Sequence, residues 1–84
     1  AMRLFSKDNN ISKTAKITLL QLSRDDDPVV RRECIRVFGA LPDYPECFPK
    51  PLDPAIILRL QELTNDPEPG VQLEAIRTLS RLIE

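Results

Sequence analysis

Apolar positions along this chain recur at helical spacing, and they do so twice. Ala15, Leu19 and Leu22 fall at i, i+4 and i+7, and Ile56, Leu60 and Leu63 repeat that stripe 41 residues later. A stripe of this kind predicts a helix with one face to bury. Ile17, Leu58 and Leu20 widen it. The first of these helices is expected to begin near Asn10 or Ser12, either of which can cap it. Polar punctuation follows each stripe. Asp25-Asp26-Asp27-Pro28 ends the first helix and starts a second, because proline suits the first helical position and not the interior. Asp27 is the expected N-cap of that second helix. Asn65-Asp66-Pro67-Glu68-Pro69 does the same work later, with Asp66 as the expected cap, since glutamate caps poorly.

The second helices carry their own stripes. At 100° per residue, Val30, Cys34, Val37, Phe38 and Leu41 share one side, and Arg32, Arg36 and Gly39 lie opposite. Ile35 sits on a flank. In the later copy the inward set is Val71, Ala75, Leu79 and Leu82, Ile76 takes the flank, and Leu73, Arg77 and Ser80 face outward. A flank isoleucine in both copies gives each helix pair an apolar side to lay against a neighbour.

The two halves align without a gap from Leu19–Leu41 onto Leu60–Leu82. Identities are Leu19/Leu60, Leu22/Leu63, Asp25/Asp66, Pro28/Pro69, Val30/Val71, Glu33/Glu74, Ile35/Ile76, Arg36/Arg77 and Leu41/Leu82, at a period of 41. That period predicts an all-α fold, an α-solenoid of two helix pairs with four main helices in antiparallel pairs. The expected layout is an N-terminal arm over 1–10, repeat one over 11–41, a Pro-rich loop over 42–52 and repeat two over 53–84. Ala1-Met2 reads as a cloning remnant. Four prolines among residues 42–51 exclude a helix there, and Asp53-Pro54 opens the next helix with the same cap logic. Tyr44, Phe48 and Leu52 are apolar anchors expected to fold back over the helix ends.

Asp25 through Leu41 resembles the turn and second helix of the HEAT-repeat family: acidic residues, proline, the Val30-Arg31 pair, small and aliphatic residues, then Gly39-Ala40-Leu41. Asp66 through Leu82 repeats the pattern more loosely, so the resemblance runs from about residue 12 to 84. It implies a ladder between repeats in which Asp25 or Asp27 and Arg31 take part. Asp66 keeps the acidic position, but Gln72 stands where the arginine belongs. It also implies use as a scaffold, adaptor or transport receptor; some relatives handle DNA, and some in photosynthetic bacteria act on bilins.

Chemistry narrows these choices. With no histidine, the chain lacks the commonest acid–base group and metal ligand. Two glycines cannot build a phosphate loop. Cys34 and Cys47 are not spaced as a zinc pair; Cys34 is expected to be a buried, inert thiol and Cys47 exposed in the loop. Asp25-Asp26-Asp27 lacks the alternating ligands of a calcium loop. The expectation is therefore a non-enzyme without cofactor or metal. A net charge of −1 gives no global pull toward nucleic acid, although residues 1–24 carry five basic side chains and one acidic.

What remains is a surface. In solenoids of this kind the second helices line the concave face, so Arg32, Arg36, Leu73 and Arg77 are the expected partner-binding residues, with Asp25, Asp27, Arg31, Asp53 and Asp66 as ladder and cap residues. The leading expectation is a protein–protein interaction module, a segment of a longer solenoid, that receives an acidic or amphipathic part of a partner. The alternatives are nucleic-acid binding through the same stripe with Arg3, Lys7, Lys13 and Lys16, or a structural spacer or cap of a larger enzyme or signalling protein, bilin lyase-like ones included. Self-association through uncapped ends near Leu82 and Ile83 is a further expectation. No apolar run reaches the roughly 20 residues of a membrane span, and the default address is cytoplasmic.

Overall fold

Proline and aspartate set the helix boundaries. A computed structural model describes residues 9–49 and 51–83, with side chains from residue 13 onward. Four helices follow one another: α1 (Asn9–Leu22), α2 (Pro28–Ala40), α3 (Pro54–Leu63) and α4 (Pro69–Leu82). There is no strand among the described residues. Each of α2, α3 and α4 begins on a proline, whose missing N–H costs nothing there. Asp27 caps α2 by accepting from the Val29 N–H at 2.9 Å. Asp53 caps α3 by accepting from the Ala55 N–H at 2.8 Å. Each such cap stabilises its helix by about 1 kcal/mol.

Two helix starts differ from expectation. Helix α1 already includes Asn9, so Asn10 and Ser12 lie inside it and neither caps it. Of the arm expected over 1–10, residues 9 and 10 are helical, and residues 1–8 lie outside the described residues. Helix α4 has Glu68, not Asp66, at its cap position, and the Glu68 side chain makes no capping bond. Asp66 stands two residues earlier and accepts from the Glu68 N–H at 2.9 Å. The second proline, Pro69, moves the helix start forward. The same turn occurs in repeat one, where Asp25 accepts from the Asp27 N–H at 2.8 Å.

Each helix pair is antiparallel, and the pairs stack. The broadest contact joins α2 to α4, followed by α3 to α4. The core gathers Ile35, Phe38, Leu41, Ile56, Leu60, Leu63, Val71 and Ala75. Four positions on the helical wheel need correction. Ile35 is fully buried, because α4 lies on that flank, whereas its counterpart Ile76 is 48% exposed. Val37, expected inward, is 43% exposed, since no helix among the described residues covers that side of α2. Leu22 is 41% exposed while Leu63 is 2%. Thr78 is buried although its polar side chain kept it out of the expected core.

Gly39 has a packing role in this stack. A Cβ there would lie 3.2 Å from the Thr78 methyl carbon and 2.6 Å from the end of Arg81. The missing side chain lets α2 and α4 approach. Between the repeats, Leu41–Asp43 forms a single 3₁₀ turn, so one short helical turn does form at the proline-rich stretch. Phe48 and Leu52 pack on the core, but Tyr44 is exposed. Cys47, expected to be exposed, is buried; the Tyr44 carbonyl accepts from the Cys47 and Phe48 N–H groups and folds that part of the loop inward.

Two isoleucines at one repeat position should therefore differ sharply. Ile35→Ala is expected to cost about 2–5 kcal/mol, and Ile76→Ala about 0.5 kcal/mol or less. Urea unfolding of the two variants checks this.

Candidate interaction surface

Several polar ties cross from one repeat to the other, and three of them are closer than the Arg24–Glu62 pair at 3.8 Å or the Arg81 bond to the Gly39 carbonyl at 3.4 Å. The strongest joins Arg31 of α2 to Asp66 in the turn before α4. Arg31 Nε donates to Asp66 Oδ2 at 2.8 Å and Nη2 donates to Oδ1 at 3.0 Å. The paired geometry suits the planar guanidinium. Arg31 Nη1 also donates to the Asp25 and Asp26 carbonyls at 2.8 and 3.1 Å. Both side chains are largely buried, 13% and 6% exposed. Burial pushes the Asp66 carboxyl up, but the bond from Arg31, the Glu68 N–H and the charges of Arg31 and Arg59 outweigh it. The result lies below the usual carboxylate range. Arg31 is held upward in turn, chiefly by its bond to Asp66.

Arg59 of α3 makes the second tie. Its Nε donates to Ser23 Oγ at 3.0 Å and its Nη2 to the Ser23 carbonyl at 2.8 Å. Ser23 is fully buried and donates its own hydroxyl to the Leu20 carbonyl. Lys16 of α1 makes the third tie, to Asp53. That bond, with the Ala55 N–H, holds Asp53 below the usual carboxylate range. No group of three or more potential metal ligands occurs among the described residues. Burial pushes the Cys34 thiol up, aided by Asp25 and Glu33, so it is a poor nucleophile.

The sequence places Arg32, Arg36, Leu73 and Arg77 on one surface, and the structure separates them. Arg32 turns into the α2–α4 contact, where its Nη1 would sit 3.4 Å from a Cβ on Gly70. Its buried Nε has no hydrogen-bond partner among the described residues. Leu73 and Arg77 are exposed on α4. Arg36 is exposed, lies 3.3 Å from Glu33, and lines a different feature.

That feature is an open groove of about 990 Å³ where the C-terminal ends of α2 and α4 meet the proline-rich loop and α3. Leu52, Ile57, Leu82 and Ile83 give it an apolar lining, and Arg36 and Arg81 bring two guanidinium groups to it. Asp43 also lines it. Arg81 Nη2 makes one long bond, 3.4 Å, to the Gly39 carbonyl. Neither Arg81 nor Arg59 was singled out by sequence reasoning. Arg59 sits in an apolar helix opposite Thr18 in the repeat alignment, so nothing in the repeat marks it. Arg81 follows the general preference for cations in a last helical turn.

Stacked antiparallel helix pairs at a fixed period define a helical-repeat protein. Residues 15–84 match the family of HEAT repeats, and this chain belongs to that family. Such repeats are commonly protein-interaction scaffolds, and the family is generally non-catalytic. Among curated proteins and among solved structures nothing matches this chain. No helix is long and apolar enough to cross a membrane among the described residues.

The Arg31–Asp66 tie gives a test of stability. Arg31→Ala leaves a buried carboxylate without its counter-charge and should cost about 3–5 kcal/mol. A carboxyl held below its ordinary value of about 3.9 stabilises the fold above that pH. The contribution is lost as pH falls through the lower folded value. Stability should therefore drop on acidification below about pH 4, and less steeply in Asp66→Asn. Urea midpoints across an acid pH series check both.

Proposed function

We propose that this chain is a non-catalytic protein-interaction module that takes an acidic, amphipathic segment of a partner protein. The observation that carries the reading is the end groove, whose apolar lining lies beside Arg36 and Arg81. An apolar side chain of the partner enters the groove. A carboxylate next to it receives two N–H bonds from a guanidinium, the geometry in which arginine exceeds lysine. Arginine beside an apolar pocket is also a common composition of binding hot spots.

Among the described residues, which do not include Arg3 and Lys7, the charge distribution supports protein over nucleic acid. Lys16, Arg31 and Arg59 are engaged inside the fold, and Arg36 lies beside Glu33. A phosphate backbone needs several unengaged cations in a row. Arg36 is the one residue of the expected Arg32, Arg36, Leu73 and Arg77 set that lies in the groove. Arg77 and Leu73 belong to a separate surface and make the natural control.

The experiment is fluorescence anisotropy with a labelled helical peptide that carries Leu and Glu at i, i+3 and i+4. Arg36→Ala combined with Arg81→Ala should weaken binding about tenfold or more. Arg77→Ala should leave it within about twofold. Equal binding by the double variant and the parent chain would reject the groove as the site.

A further inference from the structure

The 41-residue period lets every inter-repeat contact be compared with the contact its counterparts would make. Helix α4 turns Gly70 and Thr78 toward α2, where they meet Arg32 and Gly39. The counterparts of Gly70 and Thr78 are Val29 and Val37 on α2, which are 55% and 43% exposed. The counterparts of Arg32, Ile35 and Gly39 are Leu73, Ile76 and Ser80 on α4; the first two are 50% and 48% exposed. The chain therefore carries two open faces. One repeats the face that α4 lays on α2, and the other repeats the face that receives it.

We propose that this chain stacks head to tail on a second copy of itself, with the α2 face of one copy on the α4 face of the next. The contact continues the α2–α4 interface already present within the chain. Its residues have changed in matched pairs. Where Arg32 meets Gly70 inside the chain, Leu73 would meet Val29 between copies, apolar on apolar. Where Gly39 lies against the Thr78 methyl carbon, Ser80 would lie against Val37, again a small residue against a β-branched one. Ile76 gains the cover that Ile35 has from α4. Leu22, open at 41%, gains the cover that Leu63 has at 2%. The polar tie changes in the same way. Arg31 donates to Asp66 within the chain, and half-buried Gln72 would donate to Asp25 of the next copy. Asp25 is exposed and uses Oδ1 to accept from the Asp27 N–H. Asp66 Oδ1 accepts the equivalent Glu68 N–H and still receives Arg31, so the geometry leaves room for this second donor.

A contact between two different faces does not end at a two-fold dimer, so copies add one after another. Sedimentation velocity of the full 84-residue chain over a concentration series tests this. The parent chain should grow past the dimer as concentration rises. Val37→Glu alone and Ile76→Glu alone should each stay monomeric. Mixed in equal amounts, they should form a one-to-one dimer and nothing larger, because each retains the face the other lost. Gln72→Arg should tighten association about fivefold through a charge-assisted pair with Asp25, and adding Asp25→Asn should remove that gain. This variant adds a contact and does not depend on the Glu variants folding. A parent chain that remains monomeric throughout would overturn the proposal. So would a dimer that persists in Val37→Glu, which would point to a symmetric α4–α4 contact.

Discussion

The close approach of α2 and α4 is the constraint on which the rest of the structure depends. Gly39 sits at the crossing, where a Cβ would press on the Thr78 methyl carbon at 3.2 Å. The approach buries Ile35 completely, and it brings Arg31 within reach of Asp66. A buried pair of this kind is weak evidence of net stability, because desolvation offsets much of the attraction. Its larger effect is on register. A slide of one helical turn along α2 would leave a buried carboxylate without a cation, and that penalty excludes the shifted arrangement. The apolar contacts supply the attraction, and the ion pair selects one alignment among several that apolar surfaces alone would permit.

The architecture was legible because period, proline and aspartate all act locally. Asp27-Pro28 and Asp53-Pro54 start helices through their own backbone geometry, which needs no tertiary information. The same local rule misjudged Asp66, where two prolines compete and the second one starts the helix. Burial was legible only by helix and not by neighbour. A wheel ranks Ile35 and Ile76 alike, yet one lies under α4 and the other faces solvent. Val37 and Leu22 failed for the same reason. Thr78 failed because a hydroxyl reads as polar even where its methyl group makes the contact.

The position of the proposed surface depends on packing that the sequence does not display. The sequence puts arginines on the second helices, but a wheel cannot say which of them a neighbouring helix will cover. Arg32 is drawn into the contact between repeats, and Arg36 joins Arg81 at the end groove. Arg81 could have been found only by knowing that the loop brings Leu52 to the ends of α2 and α4. That information lies in the path of residues 42–52, where prolines restrict the backbone without specifying its direction. Arg59 carries no periodic signal, because its partner Ser23 lies 36 residues earlier in a turn.

Each of the three closest cross-ties spans the connection between the repeats and ignores its route. Lys16–Asp53, Arg31–Asp66 and Arg59–Ser23 hold the two helix pairs together from both sides of the loop. The covalent link then acts mainly as a tether that sets an effective concentration. For a flexible tether, closure entropy grows only with the logarithm of length, about 0.6 kcal/mol per doubling. Cys47, Phe48 and Leu52 pack inward and must keep their place, but Tyr44, Pro45 and Glu46 are exposed. Extra sequence at that tip would give up the turn on the Tyr44 carbonyl but none of the three ties, so the joint between the repeats is also where this fold can acquire new segments during evolution.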